Sequence, residues 1–201
     1  MELGCGTSAL LALVTAPKVG KYTLTDQPYV LKTLTANLLA NEEPTPARAS
    51  KGKKRGKQTP KSSKRAEDQE TFGPGGNISF SALDWECDVP GSSLAGGPGS
   101  SFDVVLAADC VYNEALVRPF VQTCADACAI RRNGESAEEE GEDGKGPTVC
   151  VVAQQLREPD VFACWMEAFH EKFRVWRVPD ETAGKDLGGG SGFVVHVGVL
   201  R

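Results

Sequence analysis

The sequence predicts an α/β fold in which a twisted, mostly parallel sheet carries helices on both faces and has an antiparallel last strand. Short apolar or β-branched segments alternate along the chain with segments of helical periodicity, which is typical of parallel sheets. The last two strand segments, 173–178 and 193–200, lack a helical pattern between them. We therefore expect these two strands to be antiparallel neighbours.

Length and composition limit the kinds of protein that the chain could be. Its 201 residues suffice for one domain, and its net charge of −5 does not favour broad nucleic-acid binding. No apolar segment approaches the ~18 residues that cross a bilayer, and no secretion signal is visible. Seven cysteines without framework spacing indicate reduced thiols, as in the cytoplasm or the nucleus. With two histidines and no Cys-x-x-Cys pair, no metal site is expected.

The first strand is expected to be truncated, because residues 1–3 alone precede a glycine turn and buried strands usually have about 5–6 residues. The turn reads Gly4-x-Gly6-x-x-Ala9 and leads into an apolar segment that predicts a helix. Glycine allows positive φ and lets a ligand lie against the backbone. The loop therefore predicts a nucleotide-type cofactor site, although such a glycine pair can also serve the turn alone.

Asp26 ends the second predicted strand, 21–26, and lies 20 residues beyond Gly6. In dinucleotide-binding folds a carboxylate at this position holds the two hydroxyl groups of a ribose. The alternative is that Asp26 caps the helix predicted over 28–40.

Two charged insertions interrupt the predicted domain, and both are expected to be disordered. The basic insertion, 42–76, contains nine Lys or Arg and no acid within 47–65. It is interpreted as a solvated loop, or alternatively as a nuclear-localisation or weakly RNA-contacting segment. The acidic insertion, 133–147, has six acids between Glu135 and Asp143.

The middle of the chain predicts two further strands. Segment 77–83 alternates apolar and polar residues and leads to Asp84-Trp85-Glu86, and 91–101 is interpreted as a flexible linker. Segment 102–108 is almost continuously apolar, so we expect a parallel strand covered on both faces.

The rest of the chain completes the alternation of strands and helices. A helix is predicted over 114–131, a strand over 148–154, and an amphipathic helix over 159–172 whose aromatic residues face the core. A glycine turn at 188–192 precedes the last strand.

Four predicted strands end in residues that fit one nucleoside-type site, because ligands of open α/β sheets lie beyond the carboxyl ends of the strands. Trp85 is interpreted either as a neighbour of the adenine or as a core tryptophan. The other ends carry glycines, acids or a small residue: Gly4, Gly6, Asp26, Ala108 and Asp109.

Two motifs resemble those of known methyltransferases. The Glu-Leu-Gly-Cys-Gly-Thr stretch at 2–7 resembles the first motif of class I enzymes that use S-adenosylmethionine. The Asp-Cys-Val-Tyr stretch at 109–112 resembles the Asp-x-x-Tyr motif of the seven-β-strand protein-lysine methyltransferases. The fungal ribosomal-protein lysine methyltransferases are most similar to four tracts: 102–128, 148–160, 173–180 and 191–201.

This resemblance implies a Rossmann-like class I fold, here as a single incomplete, amino-terminally truncated domain over 1–201. It implies S-adenosylmethionine as cofactor, and a monomer that methylates a lysine of a large-subunit ribosomal protein. Asp109 and Tyr112 match the motif that shapes the pocket of the acceptor lysine. The cofactor contacts of the family fall on Gly4, Cys5, Gly6, Asp26, Trp85 and Ala108.

Three other functions remain open from the residues. A nicotinamide-dependent oxidoreductase would use the same glycine loop, but it leaves Glu2 and the Asp109-x-x-Tyr112 motif without a task. Methyltransferases acting on adenine usually have two prolines where Cys110 and Val111 stand here. A non-catalytic interaction module could also have kept the fold.

Overall fold

The computed structural model describes residues 1–41, 71–73, 75–134 and 146–201. In this part of the chain eight strands form one sheet with the order β3-β4-β2-β1-β5-β6-β8-β7. The strands are β1 (Glu2–Leu3), β2 (Tyr22–Asp26), β3 (Thr71–Phe72), β4 (Ile78–Ala82), β5 (Val104–Ala108), β6 (Val149–Gln155), β7 (Phe173–Arg177) and β8 (Phe193–Leu200).

The helices of the described part vary widely in length, and none of them is both long and apolar enough to cross a membrane. The turns Ala16–Lys18 and Pro28–Val30 are 3₁₀ helices, and each begins with a proline in its first turn, where no N–H is required. The α-helices are α1 (Leu10–Thr15), α2 (Leu31–Ala40), α3 (Ser92–Ala95), α4 (Glu114–Gly134), α5 (Pro159–Lys172) and α6 (Asp180–Ala183).

The sheet confirms the predicted fold class. Strands β4, β2, β1, β5 and β6 pair in parallel, with Glu2 of β1 in register with Leu24 and Leu106. The last strand, β8, lies between β6 and β7 and is antiparallel to both. Because parallel strands share one direction, the carboxyl ends of β1, β2, β4 and β5 meet at one edge.

Helices cover the two faces of the sheet unequally. On one face, α4 and α5 pack against the sheet through buried aromatic residues that include Phe120, Trp165 and Phe169. The aromatic residues of 159–172 are therefore largely core residues, as predicted. On the other face, Leu34 and Leu38 of α2 lie in a smaller cluster with residues of α1 and β2.

The expectation that 102–108 is covered on both faces is confirmed only in part, because Leu106 packs against the α1–α2 cluster while its neighbour on that face, Val104, does not. Val105 and Ala107 are buried, whereas Val104 on the opposite face is 38% exposed. The reason is that α4 and α5 pack against the first face, while in the described part the α1–α2 cluster packs on β2 and β4 and reaches β5 only at Leu106.

The predicted boundaries of the two insertions were too wide. Thr71–Phe72 is a strand rather than part of a disordered insertion, because it pairs antiparallel with Ile78 and Ser79 and buries Phe72. Helix α4 continues to Gly134, beyond its predicted end. Residues 42–70 and 135–145 lie outside the described residues, so the expectations about them stay predictions.

Two connections also differ from the prediction. The segment 91–101, expected to be a flexible linker, contains α3, and the Leu94 carbonyl accepts a hydrogen bond from the Thr23 hydroxyl at 3.1 Å. A single helical turn, α6, lies between β7 and β8, but it is too short to cross over the sheet, so the two strands remain antiparallel neighbours.

Candidate active site

A cavity of about 500 Å³ lies at the edge where β1, β2, β4 and β5 end. Cavities of this size accommodate small ligands and cofactors. Its walls are formed by residues of the glycine loop and of the segments that follow the three other strands: Gly4, Gly6, Asp26, Gln27, Tyr29, Val30, Leu83, Asp84, Trp85, Glu86, Asp109, Cys110, Tyr112 and Leu116.

The glycine loop requires glycine at its first position for two reasons. Gly4 has a φ of +64°, and a Cβ added there would lie 2.7 Å from the Cys110 Sγ. Cys110 is buried, and its thiol donates a hydrogen bond to the Leu3 carbonyl at 3.1 Å. Burial raises the pKa of Cys110 to about 12, so this cysteine supports the loop as a neutral thiol.

Asp26 is bound to the backbone at both carboxylate oxygens. Oδ2 accepts a hydrogen bond from the Gly6 N–H at 2.8 Å, and Oδ1 accepts one from the Gln27 N–H at 2.7 Å. The capping alternative is not found, because the turn Pro28–Val30 has no side-chain cap. Each oxygen keeps further acceptor capacity toward the cavity. The Gly6 N–H, by contrast, is already used.

Trp85 agrees with both interpretations of its position, as a core tryptophan and as a wall of the candidate site. Its ring packs against Phe120, with centroids 5.1 Å apart, and a Cβ at Gly4 would lie 3.2 Å from it. The residue also lines the cavity. Trp85 is therefore anchored to the core while forming one wall of the candidate site.

Asp109 follows β5 with a left-handed backbone, φ 57°, which few residues other than glycine adopt. Its Oδ2 forms an ion pair with the guanidinium of Arg157, and its Oδ1 accepts a hydrogen bond from the Gln155 N–H at 3.3 Å. Tyr112, which is 65% exposed, also lines the cavity. The Asp109 carboxylate is thus fixed by the last residue of β6 and by Arg157 beyond it, and it lines the same cavity as Tyr112.

A second cavity of about 210 Å³ adjoins the first and shares Tyr112 with it. It lies beyond the end of β6, next to the Asp109–Arg157 pair. Its walls combine apolar and polar side chains from β6, α5 and the segments around them: Val111, Tyr112, Gln154, Gln155, Arg157, Glu158 and Phe162.

The first cavity is strongly acidic. Among the described residues that line it, four are carboxylates and none is Lys or Arg. Hydrogen bonds from the Gln27 side chain and from the Glu86 N–H hold the pKa of Asp84 below its ordinary value, so Asp84 is ionised at neutral pH. The cavity therefore favours a ligand that carries positive charge.

Glu2 is a buried carboxyl group beneath the glycine loop. It is 4% exposed, and its Oε2 accepts a hydrogen bond from the Tyr22 hydroxyl at 2.7 Å. Burial raises the pKa of Glu2. The pair links β1 to β2 next to the glycine loop.

The structure brings six of the eight predicted site residues to this cavity. Cys5 and Ala108 are not among its lining residues: Cys5 is buried in the α1–α2 cluster, and Ala108 ends β5 without facing the cavity. Arg157 and Gln154 were not predicted, although both follow or end a parallel strand at the same edge. The six that meet are Gly4, Gly6, Asp26, Trp85, Asp109 and Tyr112.

Comparison with known sequences supports the predicted resemblance. A family model described as "Lysine methyltransferase" matches residues 64–133. The ribosomal lysine N-methyltransferase 5 of Eremothecium gossypii is 33% identical over 121 residues, 60% of this chain and 36% of that protein. The enzyme of the same name from Kluyveromyces lactis is 30% identical over 128 residues, 61% of this chain and 37% of that protein. The chain thus spans about a third of the length of these curated relatives.

Comparison with solved structures concerns the fold. The glycopeptide N-methyltransferase MtfA, solved with S-adenosylmethionine, matches with a TM-score of 0.52 and 12% identity, covering 100% of this chain and 80% of that one. The chain therefore has the Rossmann-like methyltransferase fold and is similar in sequence to the lysine methyltransferases, as its two motifs predicted.

Proposed function

We propose that this chain is the catalytic part of an S-adenosylmethionine-dependent protein-lysine N-methyltransferase that modifies a ribosomal protein of the large subunit. The observation that carries the proposal is the acidic cavity between the glycine loop and the Asp109-x-x-Tyr112 motif. The family match over 64–133 and the two ribosomal lysine methyltransferases support the choice of acceptor.

The charge of the cavity separates this cofactor from a nicotinamide dinucleotide. The described lining contains four carboxylates and no Lys or Arg, and the Gly6 N–H is bound to Asp26. A pyrophosphate would meet like charge there, and it would lack the loop N–H that dinucleotide sites offer. A sulfonium and an α-ammonium group fit the same surroundings.

The residues of the cavity suit the other parts of this cofactor. Gly4 lines the cavity without a side chain, so its backbone can approach the methionine portion. Asp26 can accept hydrogen bonds from the ribose hydroxyls with its remaining lone pairs. The Trp85 ring offers an apolar face to the adenine.

The protein has two catalytic tasks: it must align the acceptor amine with the methyl group, and it must remove a proton from that amine. When bound, S-adenosylmethionine supplies an electrophilic methyl group, and the acceptor amine must reach it in line. A lysine amine has an ordinary pKa near 10.4, so it must lose a proton before it reacts. Asp109, fixed by Arg157 and Gln155, can orient the amine and receive that proton directly or through water. Tyr112 forms the wall between the two cavities.

The proposal also covers the location of the protein, its oligomeric state and its contact with RNA. We place the protein in the cytoplasm, with the nucleus as the alternative because ribosomal proteins pass through it. We expect it to act as a monomer. Weak RNA contact through 47–65 remains part of the proposal, although that segment lies outside the described residues.

Calorimetric titration with S-adenosylmethionine and with NAD tests the cofactor assignment. We expect heat of binding with S-adenosylmethionine alone. Mass spectrometry of large-subunit proteins after incubation then tests the transfer, with Asp109→Asn as the inactive control. Binding without transfer to any lysine would favour the non-catalytic module, and preference for NAD would overturn the proposal.

A further inference from the structure

We propose that Arg157 is a positioning residue for the transfer reaction, whose positive charge acts through Asp109 and prevents the site from holding the acceptor amine in its protonated, unreactive form. The inference rests on the proposed function, because it takes Asp109 as the group that orients a lysine amine and receives its proton. It gives a task to a residue that neither the glycine loop nor the Asp109-x-x-Tyr112 motif includes.

Charges are distributed unequally around the two cavities. The first cavity is lined by four carboxylates and no Lys or Arg, and the second adds one carboxylate and one guanidinium. Arg157 is thus the one cation among the described residues that line either cavity. The acids in the two linings are Asp26, Asp84, Glu86, Asp109 and Glu158. The remaining titratable side chains there are two phenols and a thiol: Tyr29, Tyr112 and Cys110.

An acidic site attracts a lysine without making it reactive. The ordinary pKa of a lysine amine is near 10.4, so it arrives at neutral pH as an ammonium ion. A neighbouring carboxylate favours this charged form and raises the pKa of the amine further. The amine must nevertheless release one proton, so that its lone pair can form the N–C bond while the S–C bond breaks and leaves its electron pair on sulfur. Acids alone would therefore hold the acceptor in the wrong protonation state.

Arg157 contacts the one carboxylate to which the proton is assigned. Its guanidinium forms an ion pair with Asp109 Oδ2, while Asp109 Oδ1 accepts a hydrogen bond from the Gln155 N–H at 3.3 Å. Asp109 lines the first cavity, Arg157 lines the second, and Tyr112 lines both. The ion pair therefore spans the two cavities, at the place where an acceptor amine approaches the cofactor.

The pair balances the charge of Asp109 and leaves the carboxylate able to accept hydrogen bonds. A carboxylate has about four lone-pair positions, so its contacts with Arg157 and Gln155 do not use them all. The two side chains of the pair are 45% and 47% exposed, so water weakens the effect of the guanidinium on the amine. We therefore expect Arg157 to lower the pKa of the bound amine by about 1, the lower end of the effect of a close charge.

Arg157→Met tests this role, because methionine keeps an unbranched side chain and removes the charge. The rate constant of a single turnover is measured with the protein in excess over large ribosomal subunits, so that its pH dependence reports the bound acceptor. We expect the rise of the rate to lie about one pH unit higher in the variant than in the wild type. The loss of rate should thus be several-fold larger at about pH 7 than at about pH 9.5.

Two further variants separate charge from structure. Arg157→Lys keeps the positive charge, so the rise of its rate should stay at the wild-type pH. Arg177→Met removes the guanidinium of a similarly exposed ion pair, with Asp180 at 2.9 Å, outside both cavities, and should behave as the wild type at every pH. A loss in Arg157→Met that is equal at every pH would restrict Arg157 to fixing the orientation of Asp109 and would overturn the proposal. An equal displacement in Arg157→Lys would also overturn it.

A binding experiment tests the charge balance without catalysis. The ion n-butylammonium has the charge of the acceptor, and n-butanol has nearly the same shape without charge. Both are titrated at about pH 7 against the ring signals of Tyr112, which are assigned in NMR spectra by their loss in Tyr112→Phe. We expect Arg157→Met to bind the ion up to about tenfold more tightly than the wild type and the alcohol equally, because a pKa difference of 1 corresponds to a tenfold difference in affinity for the charged form.

Equal affinity for the ion in the wild type and in Arg157→Met, or binding of the ion to neither, overturns the proposal. Absence of transfer by the wild type counts against the proposed function instead, and the titration then still decides the role of Arg157.

Discussion

The Asp26 carboxylate accepts a hydrogen bond from the backbone N–H of Gly6 at 2.8 Å, and this contact ties the end of β2 to the glycine loop. The contact has two consequences for the site. It holds the loop in the conformation that leaves room for a cofactor. It also occupies the Gly6 N–H, which could otherwise donate a hydrogen bond to a pyrophosphate.

Replacing Asp26 by alanine should weaken cofactor binding. The variant loses a charged acceptor for the ribose hydroxyls, a loss of ~1.5–3 kcal/mol. This corresponds to a roughly ten- to hundredfold rise in Kd. Calorimetric titration with S-adenosylmethionine measures it, with Asp186→Ala on the exposed turn before β8 as control. Normal affinity of Asp26→Ala for S-adenosylmethionine would show that Asp26 only stabilises the glycine loop, through its hydrogen bond with the Gly6 N–H.

The two glycines of the loop should respond differently to alanine. At Gly4 the added Cβ meets the Cys110 Sγ at 2.7 Å, so Gly4→Ala should lower the melting temperature. At Gly6 nothing lies within 4 Å, so the loss of stability is limited to the ~1–2 kcal/mol of the left-handed backbone. Because Gly6 lines the cavity, its alanine variant should bind S-adenosylmethionine more weakly. Thermal unfolding and titration separate the two effects, and undiminished affinity in Gly6→Ala would contradict the placement of the cofactor.

Asp109→Asn should show whether Asp109 acts on the acceptor amine or binds the cofactor. The variant keeps the shape of the side chain but loses the charge that orients the amine. An interaction made mainly in the transition state is expressed in kcat rather than in cofactor affinity. Tyr112→Phe should lower kcat less if the ring only lines the cavity, and comparably if its hydroxyl holds the amine. Steady-state kinetics beside cofactor titrations measure both, and loss of cofactor binding in Asp109→Asn with an intact fold would assign Asp109 to the cofactor.

Arg157→Ala should change activity more than stability. The Asp109–Arg157 pair is about half exposed, with side-chain exposures of 45% and 47%, and such pairs contribute about 1 kcal/mol or less. Without the guanidinium the Asp109 carboxylate loses the ion pair that fixes its orientation, so we expect a lower kcat at nearly unchanged unfolding free energy. Arg174→Ala on the exposed edge strand β7 serves as control. A large fall in stability would show that the pair is structural.

The Glu2–Tyr22 pair predicts how stability depends on pH. Burial raises the Glu2 pKa above its ordinary value of 4.5, so the folded protein binds this proton more tightly than the unfolded chain. The contribution of Glu2 to stability is therefore complete below about pH 4.5 and decreases as pH rises through the raised pKa. Glu2→Gln should flatten this dependence and raise the melting temperature at neutral pH.

Tyr22→Phe provides the opposite change at the same contact. It removes the hydroxyl that donates to Glu2 Oε2 at 2.7 Å and leaves a buried carboxylate without this partner. The unfolding free energy at neutral pH should fall by ~1–3 kcal/mol. Denaturant unfolding between pH 4 and pH 8 follows all three proteins, and a Glu2→Gln variant less stable than the wild type at neutral pH would contradict the account.

The sequence predicted what depends on residues close together along the chain. Gly4 and Gly6 belong to one turn, and the alternation of strands and helices is visible segment by segment. The two-residue strand β3 carries no periodic signal of its own and forms because β4 offers an edge. The left-handed backbone of Asp109 likewise has no signal in a residue that is not glycine.

The positions of the Arg157 and Gln154 side chains could not be predicted for a different reason. Arg157 meets Asp109 across 48 positions of sequence, and it does so because β6 lies beside β5 in one register, with Ala108 opposite Ala153. Whether the Gln154 side chain lies inside or outside the core depends on that register and on the packing of α5. A shift of one residue would have reversed it.

Transfer of a labelled methyl group tests the central claim most directly. Large ribosomal subunits are incubated with this chain and methyl-labelled S-adenosylmethionine, and the labelled residue is identified by mass spectrometry, with Asp109→Asn beside the wild type. We expect the label on a lysine of a large-subunit protein, and we expect strongly reduced labelling with the variant. Label on RNA, label on a residue other than lysine, or no difference between wild type and variant would contradict it.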